Sequence, residues 1–103
     1  MITIGVDAHK HVHQVLALDD AGTILSTWRG ANTPDGWQQL RTWANTLPPP
    51  RQWDIDGAWQ YGRSLVQFLV AHNETVYGVN SRWTAERRHV VHLPSAGSTT
   101  NGT

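Results

Sequence analysis

Three short β-rich runs crowd the start of the chain, and the brevity of their connections leaves few topologies open. The runs are "ITIGVD" (2–7), "HQVLALDD" (13–20) and "TILSTWRG" (23–30). The second runs into "DDAG" (19–22), whose Asp and Gly residues suit a tight turn. Strands joined so closely pair antiparallel, as a meander.

The pattern then changes period. "NTPDGWQQLRTWANTL" (32–47) predicts a helix, with Thr33 as N-cap and Pro34 at the first helical position. Trp37, Leu40, Trp43 (or Ala44) and Leu47 recur at three- and four-residue steps and form one apolar stripe. Pro48, Pro49 and Pro50 stop that helix. "QWDID" (52–56) reads as a fourth strand and "GAWQYG" (57–62) as a loop. "RSLVQFLVAHN" (63–73) predicts a second helix, with Leu65, Phe68, Leu69 and His72 at helical spacing. "ETVYGVN" (74–80) is a fifth strand, and "SRWTAERRHV" (81–90) suits the opening of a third helix. The last stretch, "PSAGSTTNGT" (94–103), holds almost nothing apolar and is expected to be a disordered tail behind a domain of residues 1–93.

A meander followed by right-handed crossovers to parallel strands gives an α/β fold with helices packed on a mixed sheet. That order is the ribonuclease-H-like layout, in which the fourth strand lies beside the first. Composition narrows the setting. Lys+Arg and Asp+Glu are both 8, so no overall field draws in a polyanion, although local patches still can. Cys is 0, which removes disulfides and thiolate metal sites. No signal-peptide pattern opens the chain and no apolar run approaches the roughly 20 residues of a membrane span, so a cytoplasmic, membrane-free protein is expected.

Candidate chemistry gathers where the first and fourth strands end. Neighbouring strands lie about 4.8 Å apart. Asp7 and Asp56, at the carboxyl ends of these two, can share one cation. Asp54 points to the same face as Asp56 but sits deeper in the strand, where a structural or exposed role suits it better. Mg²⁺ or Mn²⁺ prefers oxygen ligands and needs more than two carboxylates, often completing its shell with phosphate and water. His9, His11 and His13 alternate, and on a straight strand they would line one face, as a zinc or nickel site requires. A turn at "HKH" would break that alternation and leave them as turn residues, with Lys10 and His9 near any bound phosphate. Among the tryptophans, Trp28, Trp37, Trp43 and Trp53 fall at core-like spacing. Trp59 and Tyr61 lie in the loop just past Asp56 and are better placed to stack on nucleic-acid bases. Arg82, Arg87 and Arg88 form a basic segment fit either for phosphate contact or for a solvated helix face.

"IGVDAHKHVHQVLALDDAG" resembles the opening strands of insertion-sequence-110 family transposases, whose N-terminal domain is RuvC-like. "WDIDGAWQYGRSLVQFLVAHNETVYGVN" is similar to the family's second block, and "SRWTAERR" to the basic segment after it. The resemblance covers about residues 3–88. It implies an acidic tetrad, Asp-Glu-Asp-Asp, that binds Mg²⁺ for DNA strand cleavage and exchange. Asp7 matches the first position, and Asp56 stands where the family usually has Glu. The last two acidic positions should follow the basic segment, but "HVVHLPSAGSTTNGT" contains no carboxylate. The expectation is therefore a truncated domain, inactive alone, whose implied partners are DNA, a structured guide RNA, and further copies of itself or the full-length transposase. The competing expectation is a non-catalytic module that binds nucleic acid or the transposase. A sugar-kinase-like or nucleotide-binding domain shares the fold type, but it should carry Gly-rich phosphate loops and only single glycines are present.

Overall fold

Alternation with a period of two runs through every long strand, and it sorts the sheet into a buried face and an open one. The computed structural model describes residues 1–79 and the strand residues 89–90. Its elements are β1 (Ile2–Ala8), β2 (Val12–Leu18), β3 (Ile24–Ala31), α1 (Pro34–Ala44), β4 (Arg51–Asp56), α2 (Arg63–Ala71), β5 (Val76–Val79) and β6 (His89–Val90). They form a 6-stranded sheet in the order β3-β2-β1-β4-β5-β6. β1, β2 and β3 are the expected antiparallel meander. β4 runs parallel to β1, and β5 runs parallel to β4.

The crossovers β3-α1-β4 and β4-α2-β5 step in the same direction along the sheet. If both are right-handed, as such connections nearly always are, both helices must cover the same face. The core agrees. Ile4, Val6, Val15, Trp53 and Ile55 pack in one cluster with Leu40 and Ala44 of α1 and with Leu65, Val66 and Leu69 of α2. No helix among the described residues lies over the opposite face. None of them is long and apolar enough to cross a membrane.

Local chemistry explains the boundaries. Thr33 Oγ1 accepts the Gly36 N–H at 3.1 Å, capping α1 with Pro34 in its first turn. Gly36 is obligatory there, because a Cβ would sit 1.9 Å from the Ala31 carbonyl oxygen. Between β2 and β3, Asp19 Oδ1 accepts the amides of Ala21 and Thr23, both at 2.9 Å, so Asp19 and Asp20 belong to the turn and not to the strand.

Several expectations need correction. α1 ends at Ala44, short of Leu47, and of the two alternatives Trp43 and Ala44 it is Ala44 that fills the buried stripe. Trp37 and Trp43 are half-buried at its flanks, where each indole N–H has a polar partner: Asn32 Oδ1 at 2.9 Å and Ser26 Oγ at 3.0 Å. His72 is no core residue. It is the exposed C-cap of α2, with its ring against Phe68. The segment read as a third helix ends in strand, since His89–Val90 pair antiparallel with β5. Residues 80–88 and the expected tail, 94–103, lie outside the described residues.

At the end of the sheet where β4 and β5 begin, Glu74 ties three elements together. Its side chain is only 8% exposed. It accepts hydrogen bonds from Arg51 Nη2 at 2.9 Å and from the Trp53 indole at 2.9 Å. Arg41 of α1 adds a charge contact at 3.4 Å. Burial by itself would raise the Glu74 pKa, but the bonds from Arg51 and Trp53 and the two guanidinium charges outweigh it and hold the carboxyl below its usual value. The stability this gives is present above the ordinary glutamate pKa of about 4.3 and is lost as pH falls through the lower folded value. Removing one member of a buried pair leaves charge uncompensated, so Glu74→Ala should cost about 3 kcal/mol, read as a lower urea midpoint. Glu74→Gln should flatten the acid limb of the wild-type stability curve. An unchanged acid limb would mean that another carboxylate governs it.

Candidate functional site

Parallel pairing brings the two candidate carboxylates together. Asp7 on β1 and Asp56 on β4 are register partners at the carboxyl ends of their strands. The same row continues outward through Gln14 on β2 to Arg29 on β3. Register partners share a face, so Arg29, Gln14, Asp7 and Asp56 form one line across the open side of the sheet. Asp54 lies one step deeper, opposite Gly5. Asp7, Asp54, Asp56, Gln14 and Arg29 all line an open groove of about 860 Å³.

Asp7 is exposed, and one of its oxygens lies 3.1 Å from His9 Nε2. The donor set of Asp7 and Asp56 is hard oxygen, which suits Mg²⁺ or Mn²⁺ in type but provides only part of a coordination shell. Among the described residues no group of three or more His, Cys, Asp and Glu side chains gathers where it could hold a metal ion.

The alternating histidines do not converge. β1 ends at Ala8, so His9, Lys10 and His11 form the turn into β2. His9 leans on Asp7, and His11 is exposed. His13 faces the core, fully buried, and its Nδ1 accepts the His9 amide at 3.3 Å. The hydrogen therefore sits on Nε2, which has no hydrogen-bond partner among the described residues. Burial lowers the His13 pKa.

Sequence inspection missed Asn32, which organises the loops around the carboxylates. Its Nδ2 donates to the Lys10 carbonyl at 3.1 Å and to the Tyr61 carbonyl at 3.2 Å. Its Oδ1 accepts from Trp37, and its amide donates to the His11 carbonyl at 2.9 Å. One side chain thus joins the turn after Asp7, the loop after Asp56 and helix α1. Lys10, Trp59 and Tyr61 consequently share the rim near the carboxylates, all exposed. Arg82, Arg87 and Arg88 lie outside the described residues. Position alone makes Asn32 look like an ordinary residue before a helix cap. Only the closeness of the two loops in space reveals its work.

A family model described as Transposase, DEDD_Tnp_IS110, matches residues 4–95. The chain belongs to this transposase family. The sheet order fits the ribonuclease-H-like fold of the family's DEDD domain. No curated protein matches the transposase chain. Among solved structures it is similar to the Aquifex aeolicus member of the Ppx/GppA protein family, at 7% identity and a TM-score of 0.42. That match covers 79% of this chain, which spans 35% of the other.

Asn32→Asp replaces a two-proton donor with a carboxylate that faces two carbonyl oxygens. It should destabilise the domain by about 2 kcal/mol. Amides of residues 9–11 and 59–62 should exchange faster with deuterium, while those around Glu74 keep their protection. Uniform loss of protection would show that the clamp holds the whole fold and not this rim.

Proposed function

We propose that this domain holds the first two carboxylates of a metal-dependent DNA strand-cleavage and exchange site, with Asp7 and Asp56 as the metal-binding pair. Membership of the transposase family supports a role in DNA transposition. The observation that carries the finer reading is the register pairing of Asp7 with Asp56 on the open face. Bound there, Mg²⁺ or Mn²⁺ would polarise a phosphoryl oxygen and offset charge developing in an in-line displacement. Asp56 would hold such an ion through a side chain one methylene shorter than the family's usual Glu. Lys10 is placed to meet a phosphate next to it, and Trp59 and Tyr61 to stack on bases at the rim. Electrostatic stabilisation is usually the largest catalytic contribution, and no Asp or Glu follows Glu86 in the 103 residues. This stretch alone therefore binds the cation weakly and does not cut DNA. A guide RNA, and assembly with further copies or with a full-length transposase, belong to the same reading through the family resemblance.

A second reading, a non-catalytic module that binds nucleic acid, is favoured by the same shortage of ligands and by the exposed Lys10, Trp59 and Tyr61.

Paramagnetic Mn²⁺ followed by NMR separates the two. On the first reading, broadening centres on the amides around Asp7 and Asp56, saturates only at high metal concentration, and disappears in Asp7→Asn. Broadening centred on the exposed histidines, or none at all, would favour the module. Mn²⁺-dependent nicking of plasmid DNA by the chain, lost in Asp7→Ala, would overturn the claim that it is inactive alone.

A further inference from the structure

We infer that Arg29, with Gln14 beside it, forms a second contact for the DNA backbone, binding a phosphate one or two nucleotides from the one at Asp7 and Asp56. This rests on the proposed function and adds to it a path for the substrate strand.

Arg29 lies in the same register row as the carboxylates, two strands from Asp7. Two strand spacings make about 10 Å. The axial rise is about 3.4 Å per nucleotide, but a winding strand sets neighbouring phosphates roughly twice as far apart, so that distance reaches one or two nucleotides along the strand. The guanidinium is exposed and lines the same groove as Asp7 and Asp56. Arg41 and Arg51 are committed to Glu74. Arg29, by contrast, makes no ion pair or side-chain hydrogen bond among the described residues.

The floor of the groove is kept low. A Cβ on Gly5 would meet only Leu16 Cδ1, at an ordinary 3.8 Å. Packing does not demand glycine there, and its missing side chain leaves space beside Asp54 and Leu16. Gln14, between Arg29 and Asp7, presents a neutral amide that can donate to a phosphate or sugar oxygen.

The order of charge along the row names the ligand class. A bare cation gains nothing from a guanidinium nearby, and a simple anion is repelled by two carboxylates. A phosphodiester strand carrying one metal-bridged phosphate satisfies both ends. Arginine suits the outer position because its planar fork takes two phosphate oxygens at once.

The test uses the 103-residue chain, a short fluorescein-labelled DNA single strand, Mg²⁺ and a series of salt concentrations, with anisotropy as readout. Arg29→Ala should weaken binding roughly tenfold and reduce the slope of log K against log salt by about 0.7, the loss of one phosphate contact. Arg29→Lys should restore the slope, and Gln14→Ala should lower affinity with the slope unchanged. Mn²⁺ broadening at Asp7 and Asp56 should persist in Arg29→Ala, which also reports that the variant is folded. Equal affinity and slope in wild type and Arg29→Ala would overturn the contact and leave the carboxylate reading standing. So would an effect of Arg29→Ala on self-association in place of DNA affinity. A wild-type chain that fails to bind the strand overturns it as well. The slope change without any Mn²⁺ broadening in wild type would uphold the phosphate contact and remove the metal site instead.

Discussion

The parallel pairing of β1 with β4, in the one register that puts Ile4 beside Trp53 and Asp7 beside Asp56, decides where every other group lies. Side chains alternate along a strand, so a slip of one residue in either strand would turn its carboxylate, Asp7 or Asp56, into the core and its apolar neighbour, Val6 or Ile55, out to water. Burying an unpaired carboxylate costs far more than any backbone bond could return. The apolar residues on one face therefore fix the carboxylates on the other. Two crossovers stepping the same way then commit both helices to the apolar face. The chemistry is left with the open side.

The two ends of the sheet are fastened by different means. Glu74 works in a nearly dry pocket with two arginines and an indole, where removing the carboxylate strands the guanidinium charges that face it. Asn32 works at the rim, largely through neutral bonds to carbonyls that water can also satisfy. The fold is thus locked at the end away from the carboxylates. The loops at the carboxylate end are held in place, yet by bonds that can be exchanged for water at a modest energetic cost.

Much of this was legible in the residues. Turn chemistry in "DDAG", the Thr33-Pro34 helix start and the step from period two to helical spacing all point to the observed element order. The level of Asp7 and Asp56 follows from their places at strand ends. Other features depend on contacts distant in sequence and left no local trace. Glu74 reads as the first residue of a strand, and Asn32 as the approach to a helix. Arg29 reads as one solvated charge on an edge strand until the register places it in line with Asp7. The histidine alternation was real as a pattern but misleading as a site. His13 belongs to the buried alternation of β2, whereas His9 belongs to a turn. His72 continued a helical period by one residue after the helix had ended.

The turn that follows Asp7 is built so that the carboxylate can be surrendered without rebuilding the backbone. The His9–Asp7 pair is more than half exposed on both sides, at 53% and 61%, and such pairs contribute only about 0–1 kcal/mol. A cation or a phosphate can displace the His9 ring by rotation of that side chain alone. The His9 amide stays where it is, because it donates both to the Val12 carbonyl at 3.2 Å and to Nδ1 of the fully buried His13 at 3.3 Å. That bond requires a neutral imidazole, since a protonated Nδ1 would face the amide donor to donor. Burial supplies the neutral form by lowering the His13 pKa. The unfolded chain takes up this proton more readily than the folded one, so the contribution is present above the ordinary histidine value of about 6.5 and weakens as pH falls below it. A buried histidine and the Val12 carbonyl thereby hold the turn that follows Asp7, whichever way the His9 ring swings.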